Sequence, residues 1–86
     1  MYPVLQIKKG REKSLLNRHP WIFSGAIHKM EPAAEGAIIE IRDQKAALYG
    51  YAFYSQKSQI SARVFEFTQK DLDLDASYWQ KKMHNA

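Results

Sequence analysis

The sequence predicts a mixed α/β, mainly β domain: a small barrel or pseudobarrel with one short helix near its N-terminus and the start of a second at its C-terminus. Three observations carry that expectation. Apolar and β-branched residues recur in short runs between residues 4 and 67, separated by turn-forming stretches, which is the signature of several short strands. Gly50 interrupts one of these runs, as at a bulge or a barrel corner where another backbone comes close. Strands do not alternate with long helices, which argues against βαβ units and a doubly wound sheet. At 86 residues, 45% hydrophobic and 26% charged, the chain has room for one small domain with a thin core.

Val4 to Lys9 reads as the first strand, with Leu5 and Ile7 on one side and Val4 and Gln6 on the other. Gly10 breaks the extended run, and a helix is expected from Arg11 to Arg18, with Glu12 in the first turn where a negative charge suits the helix dipole. His19 precedes Pro20 and is steered out of the helical region, so the helix stops there. A helical projection turns Leu15 and Leu16 toward the core; Arg11 and Arg18 border one side of that stripe, Lys13 and Asn17 the other. A helix of about eight residues falls short of the ~12–15 that persist alone in water, so its leucines have to dock on a sheet.

Trp21 to Ile27 is extended with an interruption at Ser24-Gly25, Glu31 to Gly36 is a loop, and Ala37 to Arg42 is a strand with Ile39 and Ile41 on one face. Asp43-Gln44-Lys45 turns into a strand from Ala47 to Tyr54. Strict alternation there places Tyr49, Tyr51 and Phe53 on one face, as core, and Leu48, Gly50, Ala52 and Tyr54 on the other. After a polar loop from Ser55 to Gln59, the last strand runs from Ile60 to Phe67, with Ile60, Ala62 and Val64 opposite Ser61, Arg63, Phe65 and Phe67. Asp75 is placed to cap a helix from Ala76 to Met83, with Tyr78, Trp79, Lys82 and Met83 on one side. The expected division is a domain over residues 1–70, then a linker and helix start over 71–86 that reads as the opening of a longer element.

The formal net charge is +4, and residues 8–19 alone account for it: Lys8, Lys9, Arg11, Lys13 and Arg18 stand against Glu12, leaving eight basic and eight acidic residues elsewhere. A surplus confined to one short element points to a surface that faces a polyanion. Trp21 and Phe23 follow Pro20 and share a face of their strand, where they either fill the thin core or offer stacking surface beside the charge. Arg63 also has two readings: an ion pair with Glu40 or Glu66, or a contact to phosphate.

The remaining inventory argues against catalysis by these residues. No cysteine is present, which removes disulfides, thiolate metal sites and cysteine nucleophiles. The glycines at 10, 25, 36 and 50 are too scattered for a nucleotide-binding turn, and His19, His28 and His84 lack the spacing of a metal pair. Asp71, Asp73 and Asp75 read as a solvated acidic turn, because the glycine and glutamate of a calcium loop are missing. No apolar run approaches the ~20 residues of a membrane span and no signal-peptide pattern opens the chain, so the cytoplasm is the expected location. Two functions stay open: binding of nucleic acid, or a small β-barrel interaction or dimerisation module whose basic face is merely solvated.

The stretch Lys9-Gly10-Arg11-Glu12-Lys13-Ser14-Leu15-Leu16-Asn17-Arg18-His19-Pro20-Trp21-Ile22-Phe23-Ser24-Gly25-Ala26-Ile27 resembles the opening of the bacterial S-adenosylmethionine-dependent large-subunit ribosomal RNA methyltransferases of the cytosine-carbon-5 type. Gly50-Tyr51-Ala52-Phe53-Tyr54, with Ser58-Gln59-Ile60 and Arg63-Val64, is similar to the same family in spacing. The resemblance implies a PUA domain, a small RNA-binding pseudobarrel joined to a central domain and a Rossmann-like catalytic domain. Its expected RNA-binding residues are Lys8, Lys9, Arg11, Lys13, Asn17, Arg18, His19, Trp21, Ser24 and Arg63, with Asn17 standing where a second basic residue is common. The expected partners are ribosomal RNA and the parent's catalytic domain, without DNA or membrane, and a homodimer stays open. S-adenosylmethionine belongs to the parent enzyme; no cofactor and no catalytic residue is expected in these 86 residues.

Overall fold

In the computed structural model the described residues are 2–72, 74 and 76–84, with the side chains of Ser14, Lys82, Met83 and His84 left aside. The expected cap Asp75, its neighbour Asp73 and the side chains of Lys82 and Met83 lie outside the described residues. Strands β1 (Val4–Ile7), β2 (Trp21–Phe23), β3 (Ile27–Met30), β4 (Ile38–Arg42), β5 (Leu48–Tyr54) and β6 (Ile60–Phe67) form one curled sheet in the order β2-β6-β5-β4-β1-β3. Helix α1 (Glu12–Leu16) follows β1, a 3-10 turn (Ser24–Ala26) separates β2 from β3, and α2 (Ala76–His84) closes the described chain. This is the mainly β, pseudobarrel-like architecture expected from the strand pattern. Neighbouring strands are antiparallel except β1 and β4, which pair in parallel with Leu5 opposite Ile41.

Two apolar clusters lie on the two faces of the sheet. The inner one gathers Leu5, Ile7, Leu15, Ile22, Ile39, Ile41, Ala52, Ala62 and Val64. The outer one holds Leu48, Tyr51 and Leu74, flanked by Tyr2, Ile38, Phe65, Leu72 and Tyr78.

Strict alternation fails in β5 and β6, and bulges are the cause. Arg42 faces Leu48 while Ile41 faces Gly50, so Tyr49 is an extra residue in β5. Tyr49 therefore packs on the inner cluster and Leu48 joins Tyr51 on the outer face, opposite to the alternating assignment. Tyr51 faces Glu66 while Ala52 faces Val64, an extra residue in β6 that returns Phe67 to the side of Val64. Phe53, expected in the core, keeps 41% of its surface exposed and stacks on Phe65 with ring centroids 4.5 Å apart. Gly50 is where the backbones converge: a Cβ there would overlap the carbonyl oxygen of Glu66.

Helix α1 is shorter than the expected Arg11 to Arg18. Arg11 stands before its first turn, Asn17 ends it, and Arg18 adopts the left-handed region at φ 59°. Leu15 is 5% exposed in the inner cluster whereas Leu16, expected beside it in the core, is 63% exposed. The two side chains leave the helix about 100° apart, and so short a helix touches the sheet along one line only. Glu12 reaches back to accept the Gly10 amide at 3.1 Å from either carboxylate oxygen, holding the turn in which Gly10 takes φ 91°.

Polar contacts fasten the segment after β6 to the outer face. Backbone N–H groups of Leu72 and Leu74 donate to the hydroxyls of Tyr51 and Tyr2, at 2.8 and 3.2 Å. The Tyr78 hydroxyl donates to Glu66 at 2.7 Å; burial, then this bond, push the Tyr78 phenol well above its ordinary range. Arg42 donates to Glu40 at 2.8 Å and to Asp71 at 2.9 Å. Burial opposes the guanidinium charge, but these acceptors outweigh it and hold Arg42 above its ordinary value. At the β4–β5 turn, Asp43 accepts the Ala47 and Lys45 amides, and those bonds, the Ala47 one foremost, hold its carboxyl below the usual range.

Five substitutions test this frame by chemical unfolding. Gly50→Ala forces β5 and β6 apart and lowers stability by about 1–3 kcal/mol or prevents folding. Arg42→Met leaves Glu40, only 8% exposed, without its partner and costs about 3 kcal/mol, whereas Asp71→Ala changes stability by less than about 1 kcal/mol. Leu15→Ala costs about 2–4 kcal/mol by opening the inner cluster, and Leu16→Ala costs less than about 0.5 kcal/mol.

Candidate nucleic-acid interface

The basic segment is built as a turn, one helical turn and a reversal, each held by backbone contacts. The Lys8 amide donates to the Ala26 carbonyl at 2.8 Å, tying the end of β1 to the 3-10 turn, and the Arg11 amide closes back on the Lys8 carbonyl at 3.0 Å. The Asn17 and Arg18 amides then donate to the carbonyls of Lys13 and Leu15, at 3.0 and 2.9 Å, which lets the chain reverse toward Pro20. Lys8, Lys9, Arg11, Lys13, Asn17, Arg18 and His19 are all exposed on this segment. Screening by solvent leaves their charges available for a polyanion and makes any such contact sensitive to salt.

Trp21 and Phe23, for which core filling and surface stacking were both open, stay 48% exposed, while Ile22 between them is buried in the inner cluster. Alternation along β2, an edge strand of the sheet, produces this split. The backbone N–H of Trp21 donates to Nδ1 of His19 at 3.3 Å, and the two rings meet edge to face with centroids 6.0 Å apart. Accepting through Nδ1 leaves Nε2 of His19 for another partner. Ser24 is exposed, its amide donating to the Gln59 carbonyl at 3.0 Å.

Arg63 is exposed on β6 and lies in register with Trp21 on one side and Phe53 on the other. Its pairing with Glu40 is not formed: Glu40 pairs with Arg42, and Arg63 lies in register with Phe53, two positions along β5 from Tyr51, the residue that faces Glu40. Arg63 thus stands in a cross-strand row between two half-exposed aromatic rings, where side chains of neighbouring strands are in reach of one another.

The fold does not bring the five cations to one point. Arg11 lines a cavity of about 150 Å³ with Trp21, Phe23, Gly25 and Ala26, over a floor of Ile7, Leu15 and Ile22. Arg18, expected on the same border of the helix, lies over the Phe67 ring at 6.0 Å and lines a separate groove with Leu16 and Lys70. The reversal at Arg18 explains the difference, since the helical projection holds only as far as Leu16. Lys70 and Phe53 are neighbours of the interface that single-strand patterns miss: Lys70 reaches it only through the end of β6, and Phe53 only through its register with Arg63.

Among the described residues no group of three or more His, Cys, Asp or Glu side chains could hold a metal ion, and no helix is long and apolar enough to cross a membrane. The arrangement offers cations, half-exposed aromatic faces and a small apolar-floored cavity along one edge. These are means of holding an anionic, aromatic polymer, and no acid, base and nucleophile converge there.

Comparisons with known proteins agree with this architecture. The chain is 41% identical over its whole length to a ribosomal RNA large subunit methyltransferase I of Klebsiella pneumoniae, covering 22% of that protein. It is 45% identical over 95% of its length to the protein of the same name from Citrobacter koseri, covering 21% of it. It therefore spans about a fifth of the length of these curated relatives. Among solved structures, a protein assigned as a SAM-dependent methyltransferase from Streptococcus mutans aligns with 94% of the chain at TM-score 0.62 and 15% identity, over 22% of its own length. At that identity the likeness speaks for the fold. Residues 5–67, from β1 to the end of β6, match the PUA-like domain family, and the chain belongs to that family.

Proposed function

We propose that this chain binds structured RNA as the non-catalytic N-terminal part of an S-adenosylmethionine-dependent ribosomal RNA methyltransferase acting in the cytoplasm. In this reading residues 1–70 hold the RNA and residues 71–86 lead toward a catalytic domain further along the protein. Methyl transfer to carbon 5 of a cytosine, the chemistry implied by the resemblance of Lys9 to Ile27, would be performed by that domain with its bound methyl donor. The single observation that carries the reading is the meeting of Arg11 with half-exposed Trp21 and Phe23 on the edge where the charge surplus lies.

The mechanism is electrostatic capture followed by shape and stacking. Lys8, Lys9, Arg11, Lys13 and Arg18 neutralise phosphates, and Asn17 supplies a neutral donor where a cation would have added charge. His19 presents Nε2, Trp21 a ring face, Ser24 a hydroxyl, and Arg63 a guanidinium between two aromatic rings that suits phosphate or base stacking. Trp21 and Phe23 stay in solvent at a cost in exposed apolar surface, which favours a contact role over a purely structural one.

Binding of a structured ribosomal RNA fragment, measured against salt concentration, tests the proposal. Neutralising about four or five phosphates gives a log–log slope of roughly −3 to −4.5. The triple substitution Arg11→Glu, Lys13→Glu and Arg18→Glu flattens that slope and lowers affinity by about 100-fold or more at low salt, with the unfolding midpoint measured alongside as a check on folding. Unchanged RNA affinity in that variant would sink the assignment. Salt-insensitive self-association without any RNA complex would replace it with the interaction-module reading.

A further inference from the structure

We infer that the cavity between α1, β2 and the 3-10 turn seats one unpaired nucleotide, with its base against Trp21 and Phe23 and its phosphate on Arg11. The inference rests on the RNA-binding reading above and names the part of an RNA that this edge selects.

The lining supplies three kinds of surface, and together they restrict the ligand. The floor consists of Ile7, Leu15 and Ile22, all members of the inner cluster, so its shape is fixed by folding before any ligand arrives. Trp21 and Phe23 form aromatic walls that keep 48% of their surface in solvent. Arg11 contributes a cation from the exposed loop. An aliphatic ligand has no use for Arg11, and a bare phosphate has none for the rings or the floor. An aromatic ring carrying a phosphate uses all three.

Size narrows the ligand further. The cavity measures about 150 Å³. That is about half the ~300 Å³ at which sites for drug-sized ligands begin, which suits one planar heterocycle and excludes a base pair. Bases inside an RNA helix are stacked and paired, so only a bulged, looped or extruded nucleotide can place its ring there. The wall at Gly25 is open, since a Cβ at that position would meet nothing within 4 Å, and this leaves room for the sugar and backbone of the same nucleotide. Two further cavities differ from it. The one of about 540 Å³ is lined by Glu31, Glu40 and Asp71, which repel phosphate, and in the one beside Arg18 the guanidinium already lies over the Phe67 ring at 6.0 Å.

The test uses the 86-residue chain with three RNA hairpins, each closed by a non-nucleotide linker in place of loop bases, over a range of salt concentrations: one with a single bulged nucleotide, in versions carrying each of the four bases, one with that bulge made abasic, and one fully paired. At least one bulged hairpin is expected to bind about tenfold tighter than the abasic and paired forms. Trp21→Ala and Phe23→Ala are expected to erase that preference and leave the salt dependence in place. Arg11→Gln is expected to reduce the salt slope by about one. Equal affinity for all the hairpins, with the salt slope intact, would overturn the nucleotide pocket and leave RNA binding standing. Failure to bind any RNA would overturn both. The hairpin comparison uses the unaltered chain, so it does not depend on any variant folding.

Discussion

The basic edge depends on one apolar contact, the burial of Leu15 in the inner cluster. Helix α1 spans Glu12–Leu16, far short of the ~12–15 residues that an isolated helix needs, and Lys8, Lys9, Arg11 and Lys13 repel one another around it. Propensity and charge together would leave this segment unfolded. Burying a leucine side chain supplies about 1.5–3 kcal/mol, enough to hold one turn against that repulsion. The hydrogen bonds from Lys8 to Ala26 and from Gly10 to Glu12 then fix where the turn starts. Leu16 contributes nothing comparable, since it faces solvent and the Arg18 groove.

The bulges at Tyr49 and before Glu66 are what let six short strands serve two apolar clusters. Without the extra residue in β5, Leu48 would leave the outer face, and the cluster that receives Leu74 would lose a member. Without the one in β6, Phe67 would leave the inner side, where it lies beneath Arg18. Gly50 sits at the tightest point between these irregularities because only a residue lacking Cβ allows the Glu66 carbonyl so near. Local twist from bulges also suits the curling of the sheet.

The positions of β1, β2, β4, β5 and β6, the loops at Glu31 to Gly36 and Ser55 to Gln59, and the closeness at Gly50 were legible in the sequence because each is a local matter of alternation or turn chemistry. Strand β3, an edge strand whose His28 and Lys29 are both exposed, shows no such alternation and was not legible. The charge surplus was legible as a count. Its placement was not, since Arg18 turns away through a left-handed backbone that no helical projection anticipates. The side choices of Tyr49, Leu48 and Phe67 were hidden for a related reason: a bulge shows itself only in the pairing of two strands, and Gly50 hinted at its presence without giving its register. Trp21 and Phe23 were ambiguous because a strand's burial depends on whether it lies at an edge, and β2 does. For Arg63 the Glu40 alternative falls away, as Glu40 pairs with Arg42.

How the basic edge communicates with the rest of the molecule follows from distance. Charges in physiological salt are screened within about 8 Å, while the smallest extent of the molecule is 22 Å, so the field of Lys8 to Arg18 fades before it crosses the domain. A chain of strand pairings and ring contacts does cross it. Trp21 stands in register with Arg63, Arg63 with Phe53, and Phe53 stacks on Phe65, which meets Trp79 of α2 with centroids 5.3 Å apart. Tyr78 clamps the same helix to Glu66 at 2.7 Å. The direction in which α2 leaves the sheet is therefore set by β5 and β6, and β6 is the strand that carries Arg63 and pairs with β2. On the proposed reading, whatever follows α2 is oriented relative to the RNA by this row of side chains, and electrostatics governs only the approach.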